Sequence, residues 1–117
     1  MNSEELKRRT KQFAIAILAL SDSLPRNVKG DILGKQLFRS ATSVGANYRA
    51  ACRARSKAEF ISKISVVEEE SDESLYWLEL MEAAGLVSIE RLLPLMKEAN
   101  ELTAIFTASS KTAKFNK

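Results

Sequence analysis

Three observations predict an all-α chain, folded as an antiparallel up-down-up-down four-helix bundle. Apolar and small side chains recur at steps of three and four through four long segments. Helix breakers and caps (Pro25, Ser56, Gly85, Ser88) separate those segments by connections short enough to force neighbours antiparallel. No run alternates with the period of a strand, and no Gly-rich hairpin competes. At 117 residues and 45% apolar content, residues 1–117 fit one domain whose core needs no disulfide or metal staple.

The first helix is predicted over about residues 3–23, capped by Ser3, with Leu6, Thr10, Phe13, Ile17, Leu20 and Leu24 on its core face. Pro25 stops it, because proline disfavours a helical residue before it. Residues 13–20, FAIAILAL, are apolar all round, so a second face should also be buried. The second helix is predicted over residues 31–55, from an Asp31 N-cap through Leu33, Leu37, Ala41, Val44, Tyr48 and Ala51. Gly34 and Gly45 interrupt it at a cost of roughly 1 kcal/mol each relative to alanine, which close approach of another helix would explain, most clearly at Gly45.

Ser56 and Glu59 have the spacing of a capping box, opening a third helix over residues 57–84. Its stripe is Phe60, Ile64, Val67, Ser71, Ser74, Leu78 and Met81, and Gly85 ends it. At 1.5 Å per residue this helix runs roughly 40 Å. The fourth helix, residues 90–112, carries Leu92, Leu95, Ala99, Leu102, Phe106 and Ser109. Pro94 belongs in a first turn, so the helix should begin properly only near Arg91, and the terminal KTAKFNK should fray. A second apolar row on the third helix (Val66, Trp77, Leu80) and Ile15 on the first are candidates for a subunit interface in a homo-oligomer. Gly45, Asn47 and Tyr48 are the candidate packing residues of the second helix, with the Asn47 amide expected to bond across to a neighbour and fix register.

Net charge is +3, but the charges are sorted along the chain. Residues 1–57 hold 12 Lys and Arg against 4 Asp and Glu; residues 58–101 hold 3 against 11; residues 102–117 add 3 lysines. Basic and acidic helices can neutralise each other within the fold or between subunits. A basic rim for nucleic acid is the sharper alternative. Lys7, Arg8, Arg9 and Lys11 crowd the start of the first helix, while Arg49, Arg53, Arg55 and Lys57 crowd the end of the second. Antiparallel packing brings both groups to one end of the rod, where they are the candidate nucleic-acid-binding residues.

Enzyme chemistry finds no support. The chain has no histidine, so the Glu-x-x-His pairs of a di-iron bundle are excluded. Glu69 with Glu73, and Glu68 with Asp72, could share a cation, but the other helices offer no matching inward acids; pairing with Arg39, Arg49 and Arg53 is the simpler expectation. Ser40, Ser43 and Cys52 lack a base, and there is no Gly-rich phosphate loop. No catalytic residue, cofactor or metal is expected. The lone Cys52, the polar start and the lack of any membrane-length apolar run imply a soluble cytoplasmic protein.

The segments FRSATSVGANYRAACRARSKAEFI and EEESDESLYWLELMEAAGL resemble the small four-helix-bundle proteins encoded by intervening sequences within bacterial 23S ribosomal RNA genes, loosely labelled a ribosomal protein family. The resemblance spans Phe13 to Phe106. It is densest at Arg39–Arg49 and at Glu69, Asp72, Glu73, Tyr76, Trp77 and Leu78. It implies a four-helix fold and a closed homo-oligomer, typically a pentamer, without implying a reaction. The accessory variability protein of diversity-generating retroelements, basic and working beside a reverse transcriptase, is a distant relative of that family. Two functions follow as expectations: a non-enzymatic oligomer that binds RNA or DNA backbones through its basic end, or a scaffold or accessory factor for a polymerase-like protein partner.

Overall fold

The computed structural model describes residues 1–116. Four α-helices follow one another: α1 (Ser3–Leu18), α2 (Val28–Cys52), α3 (Lys57–Ala83) and α4 (Ile89–Phe115), with a 3-10 segment at Ala19–Ser23. Among the described residues there is no strand. Neighbours in sequence pack as neighbours in space and α1 closes against α4, which is the four-helix bundle the periodicity predicts. The molecule measures 49 × 20 × 19 Å.

The predicted stripes form the core. Phe13, Ile17, Leu37, Val44, Ile64, Leu78, Leu92, Leu102 and Phe106 are buried, and the Tyr48 and Phe106 rings meet across the interior with centroids 5.3 Å apart. Small residues set how closely the helices approach. Ser40 and Ser74 are fully buried with hydroxyl oxygens 3.0 Å apart across the α2–α3 seam. At α1–α2, a Cβ on Gly45 would lie 3.3 Å from Thr10 Oγ1 and 3.6 Å from the Thr10 carbonyl carbon, so the predicted close approach is present.

Several boundaries differ from expectation, each for a local reason. Asn2, not Ser3, caps α1, its side chain accepting the Glu5 N–H at 2.8 Å. The α-helix ends at Leu18 and tightens into 3-10 geometry before extended Leu24, the residue that Pro25 constrains. α2 starts three residues before the predicted Asp31. Asn27 caps it, accepting the Gly30 N–H at 2.9 Å, and Asp31 falls in the first turn, where a carboxylate favours the exposed amides. Gly30 is needed there, because any Cβ would overlap the Pro25 carbonyl oxygen.

α2 stops at Cys52 rather than Arg55. The capping box opens α3 as predicted, with Ser56 Oγ accepting the Glu59 N–H at 3.0 Å, although the Glu59 carboxylate reaches back to Arg55 N–H. Gly85, at φ +69°, follows α3 in a Schellman turn: its N–H bonds Glu82 O and that of Leu86 bonds Met81 O, both at 3.0 Å. Pro94 lies inside α4 and not in its first turn. Both Pro94 and Glu90, whose carbonyl loses its helical donor, are exposed, so water can serve that oxygen. The KTAKFNK end stays helical to Phe115; its last residue, Lys117, lies outside the described residues.

Candidate nucleic-acid interface

The start of α1, the end of α2 and the start of α3 share one end of the rod, as antiparallel packing requires. Backbone bonds pin the α2–α3 corner that carries most of the cations. Arg53 N–H bonds Ala50 O at 3.1 Å, Ala54 N–H bonds Ala51 O at 3.0 Å, and the Glu59 carboxylate holds Arg55 N–H at 3.0 Å. Arg49, Arg53, Arg55 and Lys57 are all exposed.

Two grooves open beside this corner. One, of about 380 Å³, lies between α1 and α2 and is lined by Lys7, Thr10, Lys11, Ala14, Thr42, Gly45, Ala46 and Arg49. The other, of about 450 Å³, lies between α2 and α3 and is lined by Ala46, Arg49, Ala50, Arg53, Arg55, Glu59 and Lys63. Five of the eight predicted basic residues therefore line grooves, and Lys63 joins them. Lys63 escaped the sequence reading because it sits among the acids of α3; its position two turns into the helix, on the flank facing α2, was the available signal.

Three predicted residues stand apart. Arg8 is exposed but lines neither groove, and nor does Lys57 at the first position of α3. Arg9 is taken out of the basic end altogether. Its Nε and Nη2 donate to Glu98 at 2.7 and 2.6 Å in a bidentate pair, and Nη2 reaches Glu101 at 3.3 Å, tying α1 to α4. The Glu98 hydrogen bond lifts the Arg9 pKa above its ordinary value, against the opposing effect of burial.

The acidic block of α3 is likewise engaged at its middle. Arg39 Nη1 donates to Glu70 at 3.1 Å and Nη2 to Glu73 at 2.7 Å across the α2–α3 seam. The Arg39 hydrogen bond holds the Glu73 carboxyl below its ordinary pKa, burial pushes the other way, and Trp77 Nε1, donating at 3.1 Å, adds to the lowering. Glu68 accepts from Thr107 Oγ1 at 2.7 Å. Of the arginines expected to meet these acids, Arg39 does so and Arg49 and Arg53 line the grooves instead. Among the described residues no three Cys, Asp or Glu side chains converge as a metal would need.

Asn47 does not bond across to a neighbouring helix. Its Nδ2 donates to Ser43 O at 2.9 Å, one turn back on α2, because a half-buried amide on a helix finds the preceding turn first. Tyr48 is buried against Phe106, where burial pushes its phenol pKa up, and Cys52 beside it adds to the rise. Of the interface candidates, Ile15 is 59% exposed, with Leu18 at 46% beside it. Val66, Trp77 and Leu80 are half-buried within the single chain, Trp77 packing against the core.

The family model of the 23S rRNA-intervening sequence proteins matches residues 3–108. A crystal structure of a protein of unknown function from the S23 ribosomal protein family of Bacteroides thetaiotaomicron superposes with a TM-score of 0.86 at 32% sequence identity, covering 95% of this chain and 99% of that one. No curated protein matches the chain.

Proposed function

The chain belongs to the family of 23S rRNA-intervening sequence proteins, and we propose that it is a non-enzymatic oligomeric protein that binds RNA or DNA backbones through its basic end. The observation that carries this is selective pairing. The bundle commits Arg9 and Arg39 to carboxylates, yet leaves Lys11, Arg49, Arg53, Arg55 and Lys63 around two adjoining grooves with Glu59 as their one lining acid. Unpaired cations gathered at one end are the footprint of a polyanion partner. Binding of labelled RNA and DNA, measured at low and moderate salt, tests the proposal; no binding at low salt overturns it.

The oligomer is part of the same proposal. Ile15 and Leu18 leave an apolar strip exposed on α1, and the outer side of α3 is acidic where α1 and α2 are basic, so copies of one chain can dock opposite charges into a closed ring, a pentamer by family likeness. Light scattering on the purified chain checks this, and a clean monomer at micromolar concentration contradicts it. No helix is long and apolar enough to cross a membrane. The exposed Cys52 thiol suits a reducing compartment, and we place the protein in the cytoplasm.

One observation supports a second role as an accessory factor for a polymerase-like protein. Tyr76 is 53% exposed beside Glu69, Asp72 and Glu79, an aromatic within an acidic surface suited to a basic protein partner. Affinity capture before and after nuclease treatment separates the roles. One protein partner that survives the nuclease favours the accessory role, and loss of all partners favours nucleic acid.

A further inference from the structure

The two grooves are one furrow. Ala46 and Arg49 line both, so the grooves on the two flanks of α2 meet over its outer face and together form one shallow basic surface. Its floor along α2 carries small side chains four residues apart, Thr42, Ala46 and Ala50, with Gly45 on the α1 side. Lys7 and Lys11 form one bank and Arg55 and Lys63 the other, while Arg49 and Arg53 rise along the helix itself. From Thr42 to Arg53 the floor runs about 17 Å at 1.5 Å per residue.

Building on the nucleic-acid proposal, the geometry points to a backbone track: a single sugar-phosphate strand lies along the outer face of α2, its phosphates between the two banks and its bases turned away from the protein. Three features carry this. Between the arginines, the small side chains of Thr42, Ala46 and Ala50 let the strand approach the helix closely, within reach of cations on both sides. Apart from Glu59, the polar lining is Lys, Arg and Thr, and its lysines and arginines are donors suited to phosphate oxygens. No aromatic side chain lines the furrow, so bases have no stacking platform, and no Asn or Gln lines it to read a base edge. The length matches a polymer and not a free phosphate, since a stacked strand at 3.4 Å per nucleotide passes about five phosphates over that distance.

The test compares a labelled oligothymidylate of about 12 nucleotides with an abasic oligodeoxyribose phosphate of the same length, titrated by fluorescence anisotropy with the full chain at about 50 mM salt. The two should bind within about 3-fold of each other, because the contacts are to phosphate. Replacing Lys11 and Arg49 together by Glu should weaken both at least about 10-fold, while Lys97→Glu, the same charge change at an exposed position of α4 outside the furrow, should leave both within about 2-fold. Circular dichroism of each variant confirms that the surface changes leave the helices intact. Abasic binding weaker by about 10-fold or more means the bases are read and overturns the track while leaving nucleic-acid binding standing. Equal losses in Lys97→Glu and in the Lys11/Arg49 variant place binding outside the furrow and overturn the track in the same way. Failure of both oligonucleotides to bind overturns the track together with the function it rests on.

Discussion

The waist of the bundle and its basic end use the same side chains differently. At the waist, Arg39 spans α2 to α3, and on α1 Arg9, between Lys7 and Lys11 but turned away from them, spans to α4, each gripping two carboxylates. At the end, Arg49, Arg53 and Arg55 sit on or beside the same α2 that carries Arg39, a few turns further along, where the facing stretch of α3 offers Glu59 and Lys63 instead of a glutamate cluster. The difference lies in what stands opposite. Charge that meets its complement inside the fold becomes helix pairing, and charge that does not stays unpaired along the grooves.

The largest effect expected from breaking that contrast is on binding. Changing Arg49, Arg53 and Arg55 together to Glu should lower affinity for a nucleic-acid strand by about 100-fold or more at low salt, measured by anisotropy, and leave melting nearly unchanged. The reverse separation comes from Gly45→Leu, which removes no charge but forces a side chain against Thr10; it should destabilise the fold by about 2 kcal/mol, read by denaturant titration. Gly30→Ala belongs with it, because the added Cβ overlaps a backbone carbonyl that cannot swing aside.

Smaller effects belong to the paired arginines and their carboxylates. Arg9→Met should cost about 1 kcal/mol of stability, since it strands a half-buried Glu98, while removing little nucleic-acid affinity. The pH dependence at Glu73 is smaller still. Its folded pKa lies below the unfolded value, so the unfolded chain takes up the proton first as pH falls. The stabilisation is therefore complete above the ordinary carboxylate pKa and is lost as pH drops through the lowered one. Glu73→Gln should flatten that acid limb of a stability-against-pH curve.

The four helices and nearly all their core positions were legible because burial imposes a regular spacing that no other force overrides. Thr10, Ser71 and Ser74 fit that spacing even though they are polar. Helix starts were less legible. Asn2 competes with Ser3, and Asn27 with Asp31, and which side chain reaches the free amide is a matter of local backbone geometry that no periodicity encodes. The basic end was legible in outline only. Sequence grouping placed Arg9 with its neighbours, but the two steps from Arg9 to Lys11 turn the side chain by about 200°, which aims Arg9 at α4 while Lys11 stays beside α2. For the same reason Asn47 was given a neighbour when its own helix held the nearest acceptor.

The central claim is that the unpaired cations at this end engage phosphates, and the salt dependence of strand binding tests it most directly. The wild-type chain should lose affinity steeply with salt, by about 0.7 log units per log unit of salt for each phosphate engaged on a single strand, and Arg49→Glu should make that slope shallower by about 0.7. Equal slopes for the two proteins, or affinity that does not change with salt, would contradict it.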